Sequence, residues 1–203
     1  LINISVRARA GAEAGSPIPG FVLSGEGTKP MVICAVGPTL ADFGVNGVLA
    51  DPTLSLIQNN TTVNTNSHWE ASATDMFAAV GGFPLVSGSN DAAIIVDLGS
   101  GGYTTPVETS GTDAGVSLLE VYDGEITNTA LNVVNTSTRA FVGTGDDRLV
   151  PGFVVKGERH GPLVDSSRRS RPHRIWSDGR FGRSTDDLVS GRHGHRHKRQ
   201  LER

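Results

Sequence analysis

Residues 92–98 read Ala92-Ala93-Ile94-Ile95-Val96-Asp97-Leu98. Ala93, Ile95 and Asp97 alternate with Ile94, Val96 and Leu98, the period of two that sends successive side chains to opposite faces of a β-strand. So many β-branched residues put at least one face against an apolar interior. Gly99, Gly101 and Gly102 follow as a turn; no helical pattern succeeds them, so they do not form a phosphate-cradling loop. The same reading, worked outward, gives eight strand candidates near residues 2–8, 19–24, 30–36, 53–57, 61–65, 92–98, 102–108 and 115–122. Gly, Pro, Asn, Asp and Ser clusters separate them and supply turn geometry. Two stretches read as helical: one turn over 39–43, and 70–80, where Ala73, Met76, Phe77 and Val80 recur at three- and four-residue spacing. Many short strands with Gly/Pro turns predict an all-β domain, a β-sandwich or jelly-roll-like fold.

Composition agrees, with 26 Gly among 203 residues and only 5% aromatic residues, a balance that suits tight turns over long helices. The net charge of −3 hides two opposite parts. Residues 1–165 carry 7 Lys+Arg against 17 Asp+Glu, while residues 166–203 carry 11 against 4. An acidic body argues against a nucleic-acid partner, whereas a basic tail would argue for one if the tail were genuine. The single cysteine, Cys34, lies in the apolar run Met31-Val32-Ile33-Cys34-Ala35-Val36, which excludes an intrachain disulfide and predicts a buried, inert thiol. No apolar run approaches the roughly 18–20 residues that span a bilayer. A start at Leu1 is expected of a fragment.

The chain repeats itself. Asn3-Ile4-Ser5-Val6-Arg7-Ala8 is echoed by Asn135-Thr136-Ser137-Thr138-Arg139-Ala140, and Pro19-Gly20-Phe21-Val22 by Pro151-Gly152-Phe153-Val154, both at an offset of 132 residues. Gly11, Gly25-Glu26, Pro30 and Val32 recur without a gap as Gly143, Gly157-Glu158, Pro162 and Val164. The similarity then stops at one residue, and Arg, His and Ser take over. Reading the last two bases of each codon with the first of the next restores it: Ile175 can supply Phe, Trp176 before Ser177 supplies Gly, and the following codons permit Val-Thr-Gly-Ala-Leu-Ala-Asp-Pro. The first copy has Phe43-Gly44-Val45-Asn46-Gly47-Val48-Leu49-Ala50-Asp51-Pro52 at the same offset. Leu201 and Lys198 likewise permit the counterparts of Trp69 and Asn66. The expected organisation is therefore a first β-sandwich repeat over 1–123, a short linker over 124–132, the truncated start of a second repeat over 133–164, and a basic, frame-shifted tail of low order over 165–203. Strands near 133–140 and 151–156 lack their own partners, so they are expected to be poorly ordered or paired onto the first repeat.

Val36-Gly37-Pro38-Thr39-Leu40, the block Phe43 to Pro52, Asn66 with Trp69, Asp91-Ala92-Ala93, Gly102-Tyr103-Thr104 and Leu119-Glu120-Val121-Tyr122-Asp123 together resemble a tandem β-rich repeat of about 130 residues from large secreted or surface proteins of environmental bacteria, notably Verrucomicrobia-like groups. The resemblance implies an extracellular or cell-surface β-domain whose partners are neighbouring repeats of its parent chain, and it implies no catalytic motif and no cofactor. This chain departs from the pattern at Cys34, where the family usually has Arg.

Candidate chemistry is sparse. His193, His195 and His197 alternate as metal ligands on a strand would, and Arg168, Arg169, Arg171 and Arg174 resemble a phosphate grip, but both lie in the frame-shifted tail. His68 and His160 stand without a paired nucleophile. Glu120 and Asp123, next to Gly124, are expected in a solvated turn, and Asp146 and Asp147 are weak calcium candidates after Gly143-Thr144-Gly145. Trp69 and Tyr103 offer aromatic rings on which a sugar could stack. Two functions follow: a non-catalytic structural or adhesive module of a larger extracellular bacterial protein, or a carbohydrate-binding accessory module beside a secreted enzyme, with polysaccharide as its partner.

Overall fold

The computed structural model describes residues 1–11, 14–109 and 112–156, with the Asp146 side chain left aside. The expectations for His160 and for residues 165–203, with their histidines and arginines, fall outside these residues. The described residues belong to one compact unit, Leu1–Lys156. It contains strands β1 (Asn3–Gly11), β2 (Ile18–Gly25), β3 (Lys29–Val36), β4 (Pro52–Gln58), β5 (Thr61–Asn66), β6 (Ala92–Leu98), β7 (Gly101–Thr104), β8 (Val107–Thr109), β9 (Ala114–Asp123), β10 (Leu131–Arg139) and β11 (Val150–Val154). Helix α1 covers Thr74–Val80, and 3-10 turns lie at Pro38–Phe43, Ala71–Ala73 and Gly145–Asp147. The strands form two antiparallel sheets, ordered β11-β1-β9-β3-β6 and β10-β2-β7-β4-β5, with β8 paired to β4. This is the sandwich-like all-β domain that the alternation predicts.

Strand β1 shows why. Ile4, Val6, Ala8 and Ala10 are buried, while Asn3, Ser5, Arg7 and Arg9 between them are half-buried, so one face packs inward. The continuous apolar run of β3 has another cause: both faces are covered. Met31, Ile33 and Ala35 point into the sandwich core with Phe21, Leu54 and Leu119. Val32, Cys34 and Val36 face outward into a second cluster capped by Leu40, Ala73 and Phe77, so α1 and the two 3-10 turns before it act as a lid on the first sheet. Asn59 and Asn60, at φ 50° and 60°, make the two-residue turn that joins β4 to β5. Positive φ at both positions is what the twist of a tight hairpin demands, and Asn tolerates it. The single strand expected over 102–108 is two strands, because Pro106 has no N–H to continue the ladder. Thr105 and Val107 on either side donate to the Pro19 and Pro17 carbonyls.

Of the two outcomes expected for the strands after 133, the structure has the second. β10 pairs with β2, and β11 pairs with β1, each closing one sheet. β10 begins at Leu131, within the expected linker, and Leu131 and Val133 enter the core. The compact unit thus runs past residue 123, and what precedes β10 is a short turn in which Asn128 N–H donates to the Glu125 carbonyl.

Candidate functional site

The two aromatic candidates lie in different apolar clusters. Tyr103 is buried in the sandwich core, its ring stacked 5.3 Å from Phe21 and its hydroxyl donating to the Gly99 carbonyl at 3.0 Å. A ring enclosed in this way offers no face to a sugar; local spacing could not show it, because Phe21 belongs to a distant strand. Trp69 is half-buried on the lid side of the first sheet, edge-on to Phe77 at 6.4 Å. Its indole N–H donates to the Val86 carbonyl at 3.2 Å and to Ser89 Oγ at 3.1 Å, so its polar atom is already satisfied.

The lid region is organised by a residue that the sequence marked only as part of the repeat pattern, with no role attached. Asp91 is fully buried just ahead of β6. Its carboxyl accepts the Gly37 N–H at 2.7 Å, the Thr39 N–H at 3.4 Å, the Ser89 hydroxyl at 2.6 Å and the Thr39 hydroxyl. Its backbone carbonyl also takes the Trp69 N–H at 2.8 Å. One residue thereby joins the loop after β3 and the loop before β6 through its side chain, and the segment leading to α1 through its backbone. A buried carboxyl is tolerable only with donors of this number and quality.

Glu120 and Asp123 are not in a solvated turn; both are buried near the end of β9. Asp123 meets the buried Lys29 ammonium at 2.8 Å and accepts the Glu125 N–H at 3.0 Å. Glu120 accepts the Tyr122 hydroxyl at 2.6 Å, and Tyr122 in turn accepts the Phe83 N–H at 3.2 Å. β3 and β9 bring Cys34 opposite Glu120. Burial raises the Glu120 carboxyl above its ordinary range, against the pull of the Tyr122 hydrogen bond. Burial likewise raises the Cys34 thiol, helped by the negative charges of Glu120 and Asp91, and so disfavours the thiolate. Tyr122 is raised by burial and by its hydrogen bond to Glu120. In all three the shift is toward the neutral form. The expectation failed at Asp123-Gly124 because the dipeptide carries a turn signal, while the partner that buries it, Lys29, is distant in sequence. A lysine directly before the apolar run of β3 was the available clue.

Asp147 faces Arg9 at 3.2 Å, and both side chains are more than a third exposed, so the pair adds little stability. Among the described residues, no group of three His, Cys, Asp or Glu side chains is arranged to hold a metal. His68 is exposed, with Ser67 Oγ 3.1 Å from Nδ1. Among the described residues, no helix is long and apolar enough to cross a membrane.

The other feature that stands out is a surface. Phe141, Val142, Val150, Phe153, Val154 and Val155 are all exposed, close together in sequence around β11. Scattered exposed apolar residues are normal; here six lie within fifteen positions, on and beside the edge strand β11. Comparison with protein-family models, with curated proteins and with solved structures gave no match.

Proposed function

We propose that the chain is a non-catalytic structural or adhesive repeat module of a larger extracellular bacterial protein. One contrast carries this reading: Glu120 and Tyr122 are buried and hydrogen-bonded to each other with Cys34 sealed nearby, whereas the residues exposed around β11 are apolar. Buried Cys34, Glu120 and Tyr122 hold the lid to the sheet; the apolar strands are suited to a neighbouring repeat. The resemblance to secreted tandem repeats adds the compartment.

A carbohydrate-binding accessory role is the second reading. It rests now on Trp69, the more accessible of the two aromatic candidates. Retention of the full chain on a panel of soluble and insoluble polysaccharides separates the two. A structural module shows no saturable retention, while saturable retention that is lost in Trp69→Ala would overturn the structural reading in favour of sugar binding.

A further inference from the structure

The contacts of β10 and β11 obey a symmetry that the sequence repeat makes visible. In the β1–β11 pair, Asn3, Ile4, Ser5, Val6 and Arg7 stand opposite Val154, Phe153, Gly152, Pro151 and Val150. In the β10–β2 pair, Asn135, Thr136, Ser137, Thr138 and Arg139 stand opposite Val22, Phe21, Gly20, Pro19 and Ile18. Subtracting 132 from the β10 numbers and adding 132 to the β2 numbers turns the second set of pairs into the first, position for position. Strand one of either copy thus meets strand two of the other in one common register.

Detail beyond the ladder follows the same rule. A Cβ placed on Gly20 would lie 3.1 Å from Ser137 Oγ, and one on its counterpart Gly152 would lie 2.5 Å from Ser5 Oγ. Each copy presents a serine to the other copy's glycine. The corner after strand one is also reproduced: Gly11 donates to the Gly15 carbonyl at 3.3 Å, and Gly143 to the Asp147 carbonyl at 3.2 Å.

Burial breaks the symmetry. Phe21 is 2% exposed and its counterpart Phe153 47%; Leu23 is 1% and Val155 60%; Ala10 is 0% and Val142 52%. In the first copy these faces are covered by the body of the repeat, with β9 beside β1 and β7 beside β2. Their counterparts on β10 and β11 lack only that cover.

We infer that the exposed faces and free edges of β10 and β11 are the docking surface for the body of a second repeat copy on the same polypeptide, related to the first by an approximate two-fold axis between the sheets. Its counterpart of β9 adds to the free edge of β10, and its counterpart of β7 adds to the free edge of β11. Four strands of each copy then make each of two continuous sheets, β6-β3-β9-β1 running on into the second copy's strands two, seven, four and five, and β5-β4-β7-β2 into its strands one, nine, three and six. The interface is isologous, so the pair closes: each copy has one such edge on strand one and one on strand two, and its partner occupies both. Repeats in a longer array would associate as twins, and the sheet edges at β1 and β2 would never be open to aggregation. The inference rests on the reading of the chain as a tandem-repeat protein, and it makes an array of such repeats a row of paired bodies.

The test compares the full chain with a tandem in which residues 1–156 continue directly into 25–123, which completes the second copy in register. Nuclear Overhauser contacts between Ile4 and Phe153 and between Thr136 and Phe21 are expected in both proteins. In the tandem, the amides of residues 150–155 gain protection, Phe153 leaves solvent, and both bodies unfold in one transition. If the tandem folds into two bodies that melt separately and the Ile4–Phe153 and Thr136–Phe21 contacts vanish, the inference is wrong. It is equally wrong if the tandem fails to fold under conditions where the full chain folds. Polysaccharide retention would count against the structural reading alone and leave these contacts unchanged.

Discussion

Replacing Lys29 with methionine should be among the most damaging single changes in the domain. The Lys29 and Asp123 side chains are 1% and 4% exposed and meet at 2.8 Å, so the variant leaves a carboxylate buried with only the Glu125 N–H for company. Removing one partner of such a pair costs about 3–5 kcal/mol, most of it the penalty of the uncompensated charge. For a domain of this size, each kcal/mol lowers Tm by about 2–4 °C, so the loss is on the order of 6–20 °C. Thermal and urea unfolding followed by circular dichroism measure it directly. The double variant Lys29→Met with Asp123→Asn keeps an acceptor for Glu125 N–H and removes the stranded charge, so it should recover most of the loss. A Lys29→Met variant within about 1 kcal/mol of the parent would mean that the pair behaves like an exposed one, and that the end of β9 is not packed as described.

Three further outcomes follow from the same structure. Asp91→Ala strands the Gly37 and Thr39 N–H groups and two hydroxyls and should cost several times the roughly 1 kcal/mol of an ordinary hydrogen bond; Asp91→Asn, which keeps one acceptor oxygen, should cost distinctly less in the same urea titration. Glu120 has its folded pKa raised by burial, so the folded state holds that proton more tightly than the unfolded chain does. Its effect on stability is therefore most favourable at acid pH and declines as pH rises from the ordinary carboxylate value to the raised one. Glu120→Gln should flatten that part of the profile in unfolding experiments run across pH; an unchanged slope would contradict the assignment. Gly115 packs against the backbone of Val48 and Leu49, where an added Cβ would overlap the Leu49 amide nitrogen, so Gly115→Ala should displace the 47–49 loop and lower Tm.

Much of the sandwich was legible because its rules are local. Period-two alternation located β1, β4, β6 and β9 to within a few residues, and the paired asparagines at 59 and 60 were visible as turn residues. Sheet order was not legible, since it depends on pairings such as β1 with β9 that join segments far apart in sequence. The fate of Tyr103 was hidden for the same reason: period two says that a side chain points to one face and does not say what covers that face. Glu120 and Asp123 were misread because Asp-Gly signals a turn whether or not its carboxylate finds a buried lysine. Asp91 stood in the repeat pattern beside Gly37 and Thr39, but its role was hidden because these donors reach it only through the fold. The offset of 132 residues was legible in the sequence, but the partners of β10 and β11, namely β2 and β1, were not.

Hydrogen exchange on the full chain tests most directly that strands from the second copy complete this sandwich. Alternate amides of 131–139 and 150–154, those facing β2 and β1, should exchange as slowly as the amides of β2 and β1 that face them. Exchange of both segments at the rate of an unfolded chain, with β1 to β9 still protected, would show that the first copy closes without them and would contradict the account.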